Sequence, residues 1–67
     1  MVRFKVANMG CGGCAKAVTA ALRGVDPGAE VSVDLGRREV AVESAEKADA
    51  FAAALRGAGF EGQALPA

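Results

Sequence analysis

The sequence predicts an α+β fold of ferredoxin-like type, a βαββαβ sandwich with two helices on one face of a four-stranded antiparallel sheet. Three observations predict it. Apolar and polar residues alternate over 2–7, 29–34 and 39–43, the period of half-buried strands. Two intervening stretches carry apolar residues at helical spacing instead. Glycine and proline cluster between these segments, where the chain has to turn.

The first strand, 2–7, turns Val2, Phe4 and Val6 inward and Arg3 and Lys5 outward. Residues 8–13 read as a glycine-rich loop. From Cys14 the period changes, and Cys14, Ala17, Val18, Ala21 and Leu22 form one stripe of a helix. Gly24 and the Pro27-Gly28 pair are expected to end it. The strand 29–34 points Val31 and Val33 inward, and Gly36 and Arg37 sit at a hairpin tip. Glu39–Glu43 returns with Val40 and Val42 inward, and Ser44 is the expected N-cap of a second helix. There Ala48, Phe51, Ala52 and Leu55 make the buried stripe, which Gly57 or Gly59 stops. Residues 60–65 read as a weaker last strand interrupted by Gly62. The open sheet face should carry Arg3 and Lys5 beside Glu39 and Glu43, a solvated face with cross-strand charge pairs.

Sixty-seven residues make a single domain, 1–67. A chain this short buries about 60% of its unfolded surface, which leaves little room for a deep catalytic cleft beside a core. A binding module is expected, not an enzyme. Hydrophobic residues at 52% and charged residues at 24% are globular proportions. Eight basic residues cancel eight acidic ones, and phosphate binding needs a basic surplus, so nucleic acid is not the expected partner. The three aromatics, Phe4, Phe51 and Phe60, offer no stacking platform for bases. No apolar run is long enough for a signal peptide or a membrane span. A cytoplasmic protein without membrane insertion is expected, its two cysteines kept as thiols. Met1 and the compact end at Ala67 suggest a complete chain and not a regulatory domain excised from a larger pump.

The chemistry concentrates in Met9-Gly10-Cys11-Gly12-Gly13-Cys14, between the first strand and the first helix. The first turn of a helix exposes unpaired N–H groups and a partial positive charge. Both favour thiolate over thiol, so the cysteine pKa values should fall. Gly12 and Gly13 are expected to let the backbone fold tightly around an ion. Two residues between the sulfurs bring them close enough to share one metal. The chain has no histidine, and a structural zinc site wants four ligands. Two thiolates suit a soft ion that accepts two-coordinate geometry, which points to Cu(I), with Ag(I) and Hg(II) by the same logic and Zn(II) weaker. Lys16 stands where it could tune the charge of the site, although a solvated helix residue is the default for such a lysine. A monomer is expected, with a metal-bridged dimer as the alternative.

The sequence resembles the heavy-metal-associated domain family. That family includes small bacterial copper chaperones, the metal-binding domains of copper-transporting P-type ATPases, and mercury-binding proteins. The resemblance rests on Asn8-Met9-Gly10-Cys11-Gly12-Gly13-Cys14 with Ala17-Val18, on Val31-Ser32-Val33-Asp34-Leu35, and on Ala58-Gly59-Phe60. It implies Cys11 and Cys14 as metal ligands, Met9 pointing inward as a loop anchor, and Phe60 packed close to the site. It implies as partner the metal-binding domain of a P-type ATPase. Gly10 departs from the Thr or Ser usual at that position and removes a hydroxyl that could brace the loop.

A thiol–disulfide redox protein is the rival reading, because it too places Cys-x-x-Cys at a helix start. The chain is short for that fold, its β-hairpin after the first helix does not fit, and Pro27 and Pro66 are badly placed to serve such a site. A mercury- or silver-binding domain and a metal-buffering domain are further alternatives.

Overall fold

A computed structural model describes residues 1–66. The elements are β1 (Val2–Val6), α1 (Gly12–Val25), β2 (Glu30–Asp34), β3 (Glu39–Glu43), α2 (Ala48–Gly57) and β4 (Gly62–Leu65). The sheet order is β2-β3-β1-β4, antiparallel at every junction. This is the βαββαβ fold expected from the alternation.

The strands form where alternation gives one face to bury. Phe4, Val6, Val40 and Val42 are fully or almost fully buried. The partly buried Val31 and Val33 pack against them from the outer strand β2. Val18 and Leu22 of α1 and Phe51 and Leu55 of α2 close the core from above. Ala17 is exposed, contrary to its place in the expected stripe. At 100° per residue it lies about 100° from Val18, outside the arc that Cys14, Ala21, Leu22 and Val25 share.

Three features of the helix ends differ from the sequence reading, each for a local reason. Helix α1 starts at Gly12, two residues before Cys14, because the Cys11 side chain caps it. It runs through Gly24 to Val25. Asp26 then stops it by accepting from the Gly28 amide through Oδ1 at 3.0 Å, an Asx turn. Ser44 does not cap α2, whose N-cap is Lys47 with no side-chain bond. The Ser44 hydroxyl instead donates to Asp26 Oδ2 and accepts from the Glu46 amide, tying the end of α1 to the β3–α2 connection. At the β2–β3 turn the left-handed residue is Arg38, with φ 55°, and not Gly36.

Helix α2 ends in a Schellman motif. The Phe60 amide donates to the Leu55 carbonyl at 2.9 Å and the Gly59 amide to the Arg56 carbonyl at 3.1 Å. Gly59 supplies the φ of 91° that this stop requires. Gly62 does not interrupt β4 but opens it, opposite Val6. A Cβ there would stand 2.6 Å from Leu55 Cδ1 and 3.6 Å from Phe4 Cδ1, so its missing side chain lets α2 lie close to the sheet.

On the open face Lys5 does stand opposite Glu39, but Arg3 faces Ala41 and Leu65. Glu43 faces Glu30. Arg3 thus lies diagonally between Glu39 and Glu43 of β3 and directly opposite neither. Lys5 Nζ donates to the Arg37 carbonyl at 2.7 Å.

The close packing at Gly62 is testable. Gly62→Ala is expected to cost about 1–3 kcal/mol by overpacking, and Leu55→Ala about 2–5 kcal/mol by leaving a cavity. Urea melts of the double mutant should show less than the sum, because the added methyl occupies the vacated space. Simple additivity would mean that the two side chains do not meet.

Candidate metal centre

Antiparallel order brings three connections to one end of the sheet: 7–11 between β1 and α1, 35–38 between β2 and β3, and 58–61 between α2 and β4. Hydrogen bonds join all three. The Val6 amide donates to the Arg38 carbonyl at 2.7 Å, continuing the β1–β3 pairing past the strand ends. Arg38 Nη1 donates to the Ala7 carbonyl at 3.0 Å. Asn8 Nδ2 donates to the Gly59 carbonyl at 3.0 Å, and Asn8 Oδ1 accepts from the Glu61 amide at 3.2 Å.

After β1 the chain turns sharply, with the Met9 amide donating to the Val6 carbonyl at 3.1 Å. That turn drives the Met9 side chain into the core, where its exposure is 0%. The thioether therefore packs with Phe4, Phe51 and their neighbours in the buried cluster, and the motif's backbone is held down from beneath. Gly10 and Cys11 rise to the surface beyond it.

Cys11 is extended, with φ −140° and ψ 163°, as an N-cap residue must be. Its Sγ accepts from the Cys14 amide at 3.1 Å, and its carbonyl accepts from the Ala15 amide at 3.1 Å. A sulfur thus takes the place that a Ser or Asp oxygen usually fills, and both cysteines border the first turn of α1. Cys11 is exposed, Cys14 is half-buried, and both are free thiols. The Cys14 thiol lies below the ordinary value of 9.0. The hydrogen bond with the Cys11 side chain is the largest cause, backbone hydrogen bonds at Gly10, Cys11 and Cys14 add to it, and burial opposes them.

The other expected residues divide. Phe60 is half-buried and packs against the core, placed by the Schellman stop that precedes it. Lys16 is exposed and lies on the face of α1 turned from the core, beside Thr19, Ala20 and Arg23. Gly12 and Gly13 form the first turn of α1. Both have ordinary helical backbones; a Cβ on Gly12 would meet nothing within 4 Å, and one on Gly13 would meet Cys11 Sγ at 4.0 Å. Their effect is to leave the surface around the sulfurs bare.

Two residues with contacts here were missed in the sequence: Asn8 and Arg38. Asn8 belongs to a polar turn, and its partners lie 51 and 53 residues away. Arg38 lies two residues after Gly36, the more obvious turn residue. A side chain at Gly10 would meet Arg38 Nη2 at 3.9 Å, so the guanidinium lies over the position where the family's usual hydroxyl is absent.

Comparison with known proteins agrees with this geometry. The model of the heavy-metal-associated domain matches residues 3–61. The chain belongs to the heavy-metal-associated domain family. It is therefore a metal-binding and metal-trafficking module, of a family that is generally not enzymatic. Among solved structures, it is similar to a gold binding protein, at 37% identity over 97% of this chain and 100% of the other, with a TM-score of 0.93. It is similar to the copper chaperone Atx1 from Synechocystis PCC6803, at 33% identity over 94% and 100% of the two chains, with a TM-score of 0.91. Agrobacterium tumefaciens Atu1203 is 34% identical over 88% and 92%, with a TM-score of 0.80. No curated protein matches the chain. Among the described residues, no helix of this heavy-metal-associated domain is long and apolar enough to cross a membrane.

The lowered Cys14 pKa predicts thiol reactivity. Because the Cys11 side chain is its largest cause, iodoacetamide alkylation of Cys14 should have its pH midpoint below that of a free thiol. In Cys11→Ala the midpoint should rise. Mass spectrometry after timed alkylation across pH reads both, and an unchanged midpoint in the mutant would contradict the assigned cause.

Proposed function

We propose that this heavy-metal-associated domain binds one Cu(I) ion between Cys11 and Cys14 and delivers it by thiolate exchange. The carrying observation is the donor set. Two thiols border one helix turn, and no group of three or more His, Cys, Asp or Glu side chains able to hold a metal occurs among the described residues. A site with two soft donors suits an ion content with low coordination, and thiolate softness selects Cu(I). Zn(II) would need two further ligands from water or a second chain and should bind more weakly. Similarity to a gold binding protein and to a copper chaperone supports the soft-ion class, to which Ag(I) and Hg(II) also belong.

Delivery follows from exposure. An incoming thiolate of a partner's dithiol site can form a third sulfur–metal bond, and the bond to the exposed Cys11 then breaks; the partner's second thiolate bonds next as the bond to Cys14 breaks, and the two released thiolates take up the protons that the partner's thiols gave up. The metal changes neither charge nor oxidation state. The partner by family analogy is a metal-binding domain of a copper-transporting P-type ATPase in the cytoplasm. The buried Met9 serves as an anchor and not as a third ligand, and Phe60 shields the apolar side of the site.

Serine replacements test the ligands cleanly, because Ser is itself a good N-cap and Cys11→Ser keeps α1 capped. Cys11→Ser and Cys14→Ser should each lower Cu(I) affinity by more than about 100-fold, beyond the cost of losing an outer-shell partner. Their circular-dichroism melts should stay near wild type. Near-native Cu(I) affinity in either variant would contradict the two-thiolate site. Mixing Cu(I)-loaded protein with a similar domain should move the ion faster than release to a chelator does; equal rates would indicate buffering in place of delivery.

A further inference from the structure

We infer that Arg38 sets the preference of the site between monovalent and divalent soft ions by lending positive charge to the metal loop. This rests on the two-thiolate reading above and deepens it. The starting point is an unusual backbone. Arg38 holds φ 55°, a left-handed conformation that residues with a side chain usually leave to Gly or Asn. The turn also contains Gly36, which does not take that position. An arginine there aims its side chain across the end of the sheet, where Nη1 reaches the Ala7 carbonyl at 3.0 Å.

That contact fixes where the charge lies. The other amino group, Nη2, is 3.9 Å from where a Cβ on Gly10 would stand. Gly10 precedes Cys11, and neighbouring α-carbons are about 3.8 Å apart. The guanidinium is therefore within about one screening length, roughly 10 Å at moderate salt, of the Cys11 backbone. Its hydrogen-bond acceptor is a carbonyl, which orients the charge without cancelling it. Arginine stays protonated throughout the working pH range.

The consequence depends on the ion. Two thiolates carry −2, so bound Cu(I) or Ag(I) leaves a complex of −1, whereas bound Hg(II) leaves a neutral one. A fixed cation nearby stabilises the first more than the second. A brace that only positions the loop would help both alike. The ratio of the two affinities thus separates electrostatics from geometry.

The test uses the full chain, reduced and anaerobic, with chelator-competition titrations of Cu(I) and Hg(II) on wild type, Arg38→Gln and Arg38→Lys. Arg38→Gln removes the charge and shortens the side chain by two bonds, so the lost contact with the Ala7 carbonyl affects both titrations alike and cancels in the ratio. The Cu(I)/Hg(II) affinity ratio should fall about two- to fivefold in Arg38→Gln, the effect of one exposed charge. The fall should be larger at low salt and smaller at high salt. Arg38→Lys should recover most of the ratio. An unchanged ratio in Arg38→Gln, whether both affinities drop together or neither does, would overturn the inference. Failure of the underlying reading gives a different result, in which wild type itself binds neither ion through its two thiols.

Discussion

The hydrogen bond from the Cys14 amide to Cys11 Sγ, 3.1 Å long, is the contact on which the site depends. It caps α1 with a sulfur where an oxygen normally serves. In doing so it places both thiols at the first turn of the helix, where backbone amides lack intrahelical partners. A separate hydrogen bond, between the Cys14 thiol and the Cys11 side chain, is the largest cause of the lowered pKa of Cys14. Helix start and thiol chemistry thus both depend on the Cys11 side chain. A helix beginning at Cys14 would have left Cys11 in a free loop, with no set distance to its partner.

The scaffold's task is to keep that turn still while leaving it bare. Met9 pins the backbone just before it by going fully into the core. Asn8 and Arg38 tie the preceding residues to the other two connections at the same end. The Schellman stop of α2 sets Phe60 half-buried against the core. The glycines that follow Cys11 add no bulk. A rigid core with function carried on tethered loops is a common arrangement, and here it holds the cysteine turn in place while leaving Cys11 exposed.

Periodicity carried the sequence reading of the fold. Val2, Phe4 and Val6 alternate and Val18 and Leu22 repeat at helical spacing because burial demands it, so strands and helices could be read without coordinates. The cysteine motif was legible for a chemical reason: two cysteines separated by two residues at a helix start point to metal or redox chemistry. The misses arise where tertiary contacts decide. Glycine is a poor helix former, which hid the helix start at Gly12 behind a cap that only a sulfur contact reveals. Ser44 looked like a cap but found Asp26, 18 residues away. Glu43 was placed on the correct face, yet strand register gave it Glu30 as neighbour. Arg38 carried no local signal, because its backbone conformation is one that sequence rules assign to glycine.

The central claim is that two thiolates hold the ion with no other protein donor. X-ray absorption on the reduced, Cu(I)-loaded monomer tests it most directly. The account predicts a copper edge and scattering shell of two sulfurs in near-linear geometry. A third sulfur shell in the monomer, such as Met9 would provide on leaving the core, or a nitrogen or oxygen shell, would contradict it.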